Sequence, residues 1–186
     1  MAAEDISELV VLVDDNGEPI GTADKATVHH ENTPLHLAFS CHIINTDGQV
    51  LVTRRALDKK TWPGVWTNAV CGHPGPDESM DDAIIRRARY EIGLDIAQIR
   101  PAIANFRYRA TDASGVVENE ICPVFSAVAH NDPTPRADEV CQWQWVEPSA
   151  LRDAVSATPF AFSPWLVMQI QAWPDDYRAV SDTSVR

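Results

Sequence analysis

Glu118 and Glu120 stand two residues apart in a β-prone run, which sends both carboxylates to one side of a strand and Asn119 to the other. Three histidines, His29, His36 and His73, fall in polar or loop contexts. Together these residues offer an N/O donor set suited to Zn2+, Mn2+ or Mg2+, and ligand type alone does not choose among the three. His30 beside His29 is equally allowed, and Glu-x-Glu with scattered histidines also describes an ordinary solvated surface. Cys71 is a second candidate. It adjoins Gly72 in a loop just before a helix and near several arginines, a setting that can depress a thiol pKa and lend it acid–base reactivity. The alternative is a small buried hydrophobe, the reading taken for Cys41, Cys122 and Cys141 in their strand-like runs. A third group is cationic: Lys25, Arg55, Lys59 and Arg87 could surround a diphosphate, with Glu91 holding a Mg2+ that bridges its oxygens. Trp165, one turn into a helix, could face a developing cation or simply fill the core.

A loop-and-helix unit from Trp62 to Leu94 must position several of these groups. An aromatic, Pro/Gly-punctuated turn leads into a short strand that ends on Cys71-Gly72-His73, and a Pro/Gly loop follows. Ser79 with Asp82 reads as a capping box, and Gly93 sits where a left-handed stop residue belongs. Met80, Ile84, Ala88 and Ile92 recur every four residues as a buried stripe, while Arg87 and Glu91 share a different face.

Before this unit, Leu9 to Val13 predicts a strand closed by the turn Asp15-Asn16-Gly17, and Lys25 to His36 reads as polar and irregular. Leu37 to Asn45 and Gln49 to Arg54 predict a hairpin through Asp47-Gly48. After it, Ile103 to Arg109 and Val116 to Val128 predict strands joined by the turn Thr111 to Gly115, with an acidic Pro-bearing loop from Asn131 to Glu139. Gln142 to Val146 alternates as a half-buried strand does. Helices are expected from Pro148 to about Val155 and from Pro164 to Trp173, the second capped by Ser163. The tail from Asp175 is polar and expected to fray. With no repeat or linker, residues 1–186 read as a single domain of mixed α+β class with its core at about residues 9–171.

Composition narrows the partners. The 186 residues are 45% hydrophobic and 23% charged, ordinary for one soluble domain. A net charge of −12 argues against a nucleic-acid backbone as ligand. Ten of the fifteen Lys/Arg residues nevertheless fall between Arg54 and Arg109, which suggests a small anionic ligand or else ordinary solvated faces. No run is long enough to span a membrane, and the acidic start Met1-Ala2-Ala3-Glu4-Asp5 is unlike a signal peptide, so a cytoplasmic protein is expected. The four cysteines lack CxxC spacing, so neither a disulfide framework nor a zinc ribbon is suggested.

Gly72-x5-Glu78-x7-Arg86…Glu91-x-Gly93-Leu94 resembles the Nudix box, a loop–helix signature of α/β/α folds that bind metal–diphosphates. Two positions depart from it: Arg87 stands where an acidic residue is usual, and Tyr90 replaces the first of two adjacent glutamates. Hydrolytic relatives use those carboxylates to assemble the metals that activate water. The segments 35–40, 51–56, 62–68, 71–74, 106–110, 118–120 and 162–165 are similar to the type I isopentenyl-diphosphate isomerases, within a likeness from Leu9 to Gln171. The resemblance implies a Nudix-type α/β/α sandwich with mixed and antiparallel strands, and a divalent metal on His29, His36, His73, Glu118 and Glu120. It further implies diphosphate contacts from Lys25, Arg55, Lys59 and Arg87, and a second Mg2+ at Glu91 with the backbone carbonyl of Cys71. Cys71 and Glu120 would be paired acid–base groups, Tyr108 would assist Glu120, and Trp165 would face a cationic intermediate. The implied partner is a small diphosphate, with no nucleic acid or membrane, on a monomer or weak homodimer. A Nudix diphosphohydrolase and a non-catalytic metal–diphosphate binding module are the competing readings.

Overall fold

The computed structural model describes residues 8–173, so the tail expected from Asp175 lies outside the described residues. Two mixed sheets form the frame. The first runs β2 (Pro19–Asp24), β1 (Leu9–Val13), β3 (His36–Leu37), β10 (Val117–Ile121), β9 (Arg107–Thr111). The second runs β12 (Val140–Val146), β5 (Val50–Arg55), β4 (Phe39–Ile44), β11 (Val124–Ala129), β8 (Ile96–Ile103). Two short strands, β6 (Trp66–Asn68) and β7 (Val70–Gly72), pair with β5 and β4 respectively. Each sheet has one parallel pair, β3 with β10 and β4 with β11, because the chain changes sheets twice in the same direction. The Ala38 N–H bonds the Ile121 carbonyl at 2.9 Å, and the Ser40 N–H bonds the Pro123 carbonyl at 3.2 Å, tying the two crossings together.

All six residues of β4 are buried, as a strand covered on both faces must be. Phe39, Cys41 and Ile43 pack in a cluster with Ile84, Ala88 and Ile92 of helix α2 (Met80–Ile92). Ile44 packs in the other cluster with Leu151 and Val155 of α3 (Pro148–Ala157) and Leu166 and Ile170 of α4 (Pro164–Ala172). The result is the expected helix–sheet–helix sandwich. Fully buried, Ile84 and Ile92 together stabilise the docking of α2 by about 3–6 kcal/mol. The buried face is wider than the four-residue stripe: Ala83 and Arg87 join it, and Met80 is only partly covered. Ser79 caps the helix by accepting from the Asp82 N–H at 3.1 Å, and its hydroxyl donates to the Asp82 carboxylate at 2.7 Å. Gly93 ends it at φ 63°.

Four expectations need correction. The strand expected from Val116 to Val128 is two strands in different sheets, broken at Cys122-Pro123, where proline has no N–H to continue a ladder. Ile103 to Arg109 holds the end of β8, a turn and the start of β9. The hairpin of β4 and β5 closes at a single pair, Ile44 with Val50, since β6 and β7 take the remaining edges. The polar stretch after Asp24 begins with a helical turn, α1 (Lys25–Val28), in which the Asp24 carboxylate accepts from the Ala26 N–H at 2.8 Å. Strand β2 carries no sequence signal because every one of its side chains is at least partly exposed. No helix among the described residues is long and apolar enough to cross a membrane.

Candidate active site and metal centre

β3 and β10 pair in parallel with His36 opposite Glu120, which brings an imidazole and a carboxylate together from distant parts of the chain. His29 arrives at the end of α1 and His73 just beyond β7. The three rings lie 5.0–5.5 Å apart by centroid. One ligand atom from each of His29, His36, His73 and Glu120 falls within 4.8 Å of the others. Glu118 adjoins this group at 3.2 Å from His29 Nε2, and the Thr61 hydroxyl donates to its other oxygen at 3.0 Å. His30 does not join them. Its Nδ1 accepts from the Asn32 N–H at 3.1 Å, and of the two adjacent histidines it is His29 that stands in the cluster.

The donors fit a divalent ion. His29 Nε2 and His36 Nε2 are buried without a hydrogen-bond partner, an arrangement costly unless a cation takes their lone pairs. His36 Nδ1 must donate to the Pro34 carbonyl at 2.9 Å, since a carbonyl only accepts, and this leaves neutral Nε2 bare toward the cluster. Burial would raise the Glu120 carboxyl, but the His36 and His73 imidazoles beside it outweigh burial and hold the group well below the usual carboxylate range. Burial likewise opposes charge on His36, yet Glu120 raises its pKa, whereas for His73 burial wins and lowers it.

A cavity of about 750 Å3 opens beside this cluster, and Cys71, Tyr108, Glu120 and Trp165 all line it. The thiol differs from expectation: burial pushes it up to about 12, against weaker opposing hydrogen bonds from Ser40 and Asn68. The nearby arginines do not activate it, because their guanidiniums are spent on carboxylates and carbonyls. Cys71 Sγ donates to Asn68 Oδ1 at 3.2 Å and lies 3.3 Å from Ser40 Oγ. Ser40 is held in turn by the Gln169 amide at 2.8 Å. Trp165 is both core and cavity wall. Its ring packs edge-on against Trp62 at 5.3 Å and tilted against Tyr108 at 5.8 Å, with the Arg55 guanidinium 5.6 Å from its centroid. Trp62 itself is held at φ 43°, unusual for a bulky side chain, with its N–H donating to Asp112 at 3.0 Å.

Lys25, Arg55, Lys59 and Arg87 line the same cavity. Each is already engaged. Lys25 pairs with Glu8, Lys59 with Glu139, and Arg55 donates twice to the Thr61 carbonyl. Arg87 is 6% exposed, donates from Nε to Glu91 at 2.8 Å, and has Glu139 at 3.6 Å. Lys60 lines the cavity as well, while Arg89 pairs with Asp95 and Arg107 with Asp15 on the surface. Tyr90, the second departure from the box, lies under the Arg87 and Arg136 guanidiniums at 5.0 and 4.5 Å. Glu8, Glu139, Thr61, Ser40 and Asn68 were missed in the sequence. Only Asn68, beside the Cys-Gly-His motif, stood where a local signal could have flagged it.

A NUDIX domain matches residues 34–166. The chain is 61% identical over 164 residues to an isopentenyl-diphosphate Delta-isomerase of Clavibacter michiganensis subsp. michiganensis, covering 88% of this chain and 84% of the relative. It is 58% identical to one of Kocuria rhizophila, covering 92% and 95%. Among solved structures it resembles DR0079 from Deinococcus radiodurans (TM-score 0.69, 18% identity, 89% of this chain and 99% of that one). The MutT protein of Methanosarcina mazei Go1 is similar as well (TM-score 0.59, 18% identity, 81% and 97%), and both likenesses speak to the fold alone.

Proposed function

The chain belongs to the NUDIX family and, within it, to the isopentenyl-diphosphate Delta-isomerases, and from that premise we propose how its cavity does the chemistry. The enzyme interconverts isopentenyl diphosphate and dimethylallyl diphosphate. An unactivated alkene is a very poor base, so the acid must be held against it in a site that excludes water. The observation that carries the assignment is the convergence of Cys71, Glu120, Tyr108 and Trp165 on one cavity beside the His/Glu cluster. Burial keeps the Cys71 thiol protonated, and Glu120 is held ionised. One donor and one acceptor are therefore poised before substrate arrives, with the proton on sulfur.

Protonation of the terminal carbon leaves a tertiary cation, and removal of a C2 proton completes the shift. Trp165 presents a buried aromatic face that stabilises the cation by about 2 kcal/mol when desolvated, without capturing it. Tyr108, buried beside Glu120 and packed on Trp165, supports the carboxyl. A divalent ion on His29, His36, His73, Glu118 and Glu120 would keep Glu120 ionised and its orientation fixed, and Mn2+, Zn2+ and Mg2+ all suit the donors. Lys25, Arg55, Lys59 and Arg87, which line the cavity, would anchor the diphosphate away from the reacting carbons, and Glu91 with the Cys71 carbonyl would hold a second Mg2+. That substrate would displace the carboxylates now paired with Lys25 and Lys59. Every assigned group comes from one chain, so a monomer suffices.

Proton NMR of the protein with isopentenyl diphosphate and Mg2+ in D2O tests this. Dimethylallyl signals with deuterium entering the carbon skeleton are expected. Release of inorganic phosphate without an allylic product would move the chain to the hydrolases. Silence after metal reconstitution would leave a binding module.

A further inference from the structure

Asn68 ends β6, and Ala69 breaks the chain from β7, so its side chain sits in the gap between two strands. It is 1% exposed. Nδ2 donates to the Cys41 carbonyl at 3.3 Å and to the Val70 carbonyl at 3.0 Å, which fixes the end of the amide that carries oxygen. Oδ1 therefore faces the donors. It accepts from Cys71 Sγ at 3.2 Å and from Trp165 Nε1 at 3.1 Å, with the Thr67 hydroxyl at 3.0 Å. A carbonyl oxygen has two lone pairs. Thr67 has a second partner in Ser163 Oγ at 2.8 Å, so both lone pairs are available to the thiol and the indole.

We infer that Asn68 is a positioning residue for the isomerisation: one carboxamide oxygen sets the direction of the Cys71 thiol and the tilt of the Trp165 ring together. This rests on the roles proposed above for Cys71 and Trp165. A change at Asn68 moves the proton-carrying group and the cation-facing ring at once, while the diphosphate anchors lie on other side chains. Its signature is therefore in kcat and not in KM.

Asn68→Ala is expected to lower kcat by roughly ten- to a hundredfold, with KM and the inhibition constant of saturated isopentyl diphosphate within about threefold of wild type. Asn68→Asp keeps an acceptor oxygen of the same reach and gives up both donor bonds, so it recovers part of the lost kcat. Trp165→Phe lacks the indole N–H, and in that background the Asn68→Ala loss shrinks. A purely structural amide predicts the reverse: an equal loss in both backgrounds, or no rescue by Asp, and either result overturns the inference. If Asn68→Ala does not fold, Asn68→Asp decides alone: kcat within about tenfold of wild type supports positioning, and a larger loss in the folded variant overturns it. Wild-type turnover in Cys71→Ala would remove the underlying reading. An inactive Cys71→Ala beside a fully active Asn68→Ala overturns only the positioning role.

Discussion

Arg87→Met, studied in metal-free protein with a chelator present, tests the electrostatics of the anion site. Arg87 and Glu91 form an i,i+4 pair with side chains 7% and 12% exposed, and Glu139 stands beside them. Deleting the guanidinium strands a buried carboxylate, which costs about 3–5 kcal/mol. At roughly 2–4 °C per kcal/mol for a domain of this size, the melting temperature falls by about 6–20 °C. The double variant Arg87→Met/Glu91→Gln removes both charges and recovers most of that loss, while Glu139 keeps Lys59 as its partner. The deficit also depends on pH. Burial already raises the Glu91 carboxyl above 4.5, and Glu139 adds to this, while Arg87 pulls it down. Without Arg87 the group rises further and binds a proton in the folded variant where the unfolded chain binds none. Lower pH therefore favours the folded variant relative to wild type. The deficit is full well above the raised Glu91 value and shrinks as pH falls toward the ordinary glutamate value. Urea denaturation of the three proteins across that range reads it directly. A deficit under about 1 kcal/mol, one that grows as pH falls, or a double variant as weak as the single would refute the reasoning.

Cys71→Ala and Glu120→Gln should each abolish turnover while circular dichroism stays that of the wild type, and a wild-type rate in either one sinks the acid–base assignment. Because Glu120 raises the His36 pKa, a proton competes with the metal for that ring as pH falls. Calorimetry in buffers of different ionisation enthalpy should show proton release and an affinity that weakens as pH falls through that raised pKa. Gly93→Ala puts a Cβ against the Thr134 hydroxyl and 2.8 Å from its carbonyl at a left-handed φ, so stability should fall by about 2 kcal/mol or more with kcat near wild type at low temperature.

The sequence showed the parts of the site whose spacing is local. Glu118 and Glu120 share a strand face, Arg87 and Glu91 share a helix face, and Ser79 and Gly93 bracket the helix, because period and capping are short-range rules. The sheet change at Cys122-Pro123 is hidden in the sequence, since the β-prone residues of Val116 to Val128 continue on both sides of it. The state of the thiol is hidden for a related reason. Arginines close in sequence to Cys71 turn to partners of their own, and its pKa is set by burial that only packing reveals. Glu8 and Glu139 reach the cations from far along the chain, where no periodicity points to them. Between the adjacent His29 and His30, which spacing leaves equal, only the resemblance chooses.

The parallel pairing of His36 with Glu120 also bears on how the chain folds. Nearly half the sequence lies between those two residues, so no hairpin can bring them together and their meeting closes a very long loop. Contacts of such separation slow the search for the native topology. An ion bridging His36 and Glu120 would fasten that loop after it has closed. Its mark should fall on the unfolding rate, leaving the folding rate nearly unchanged, and the metal would act as a kinetic latch on the whole sandwich.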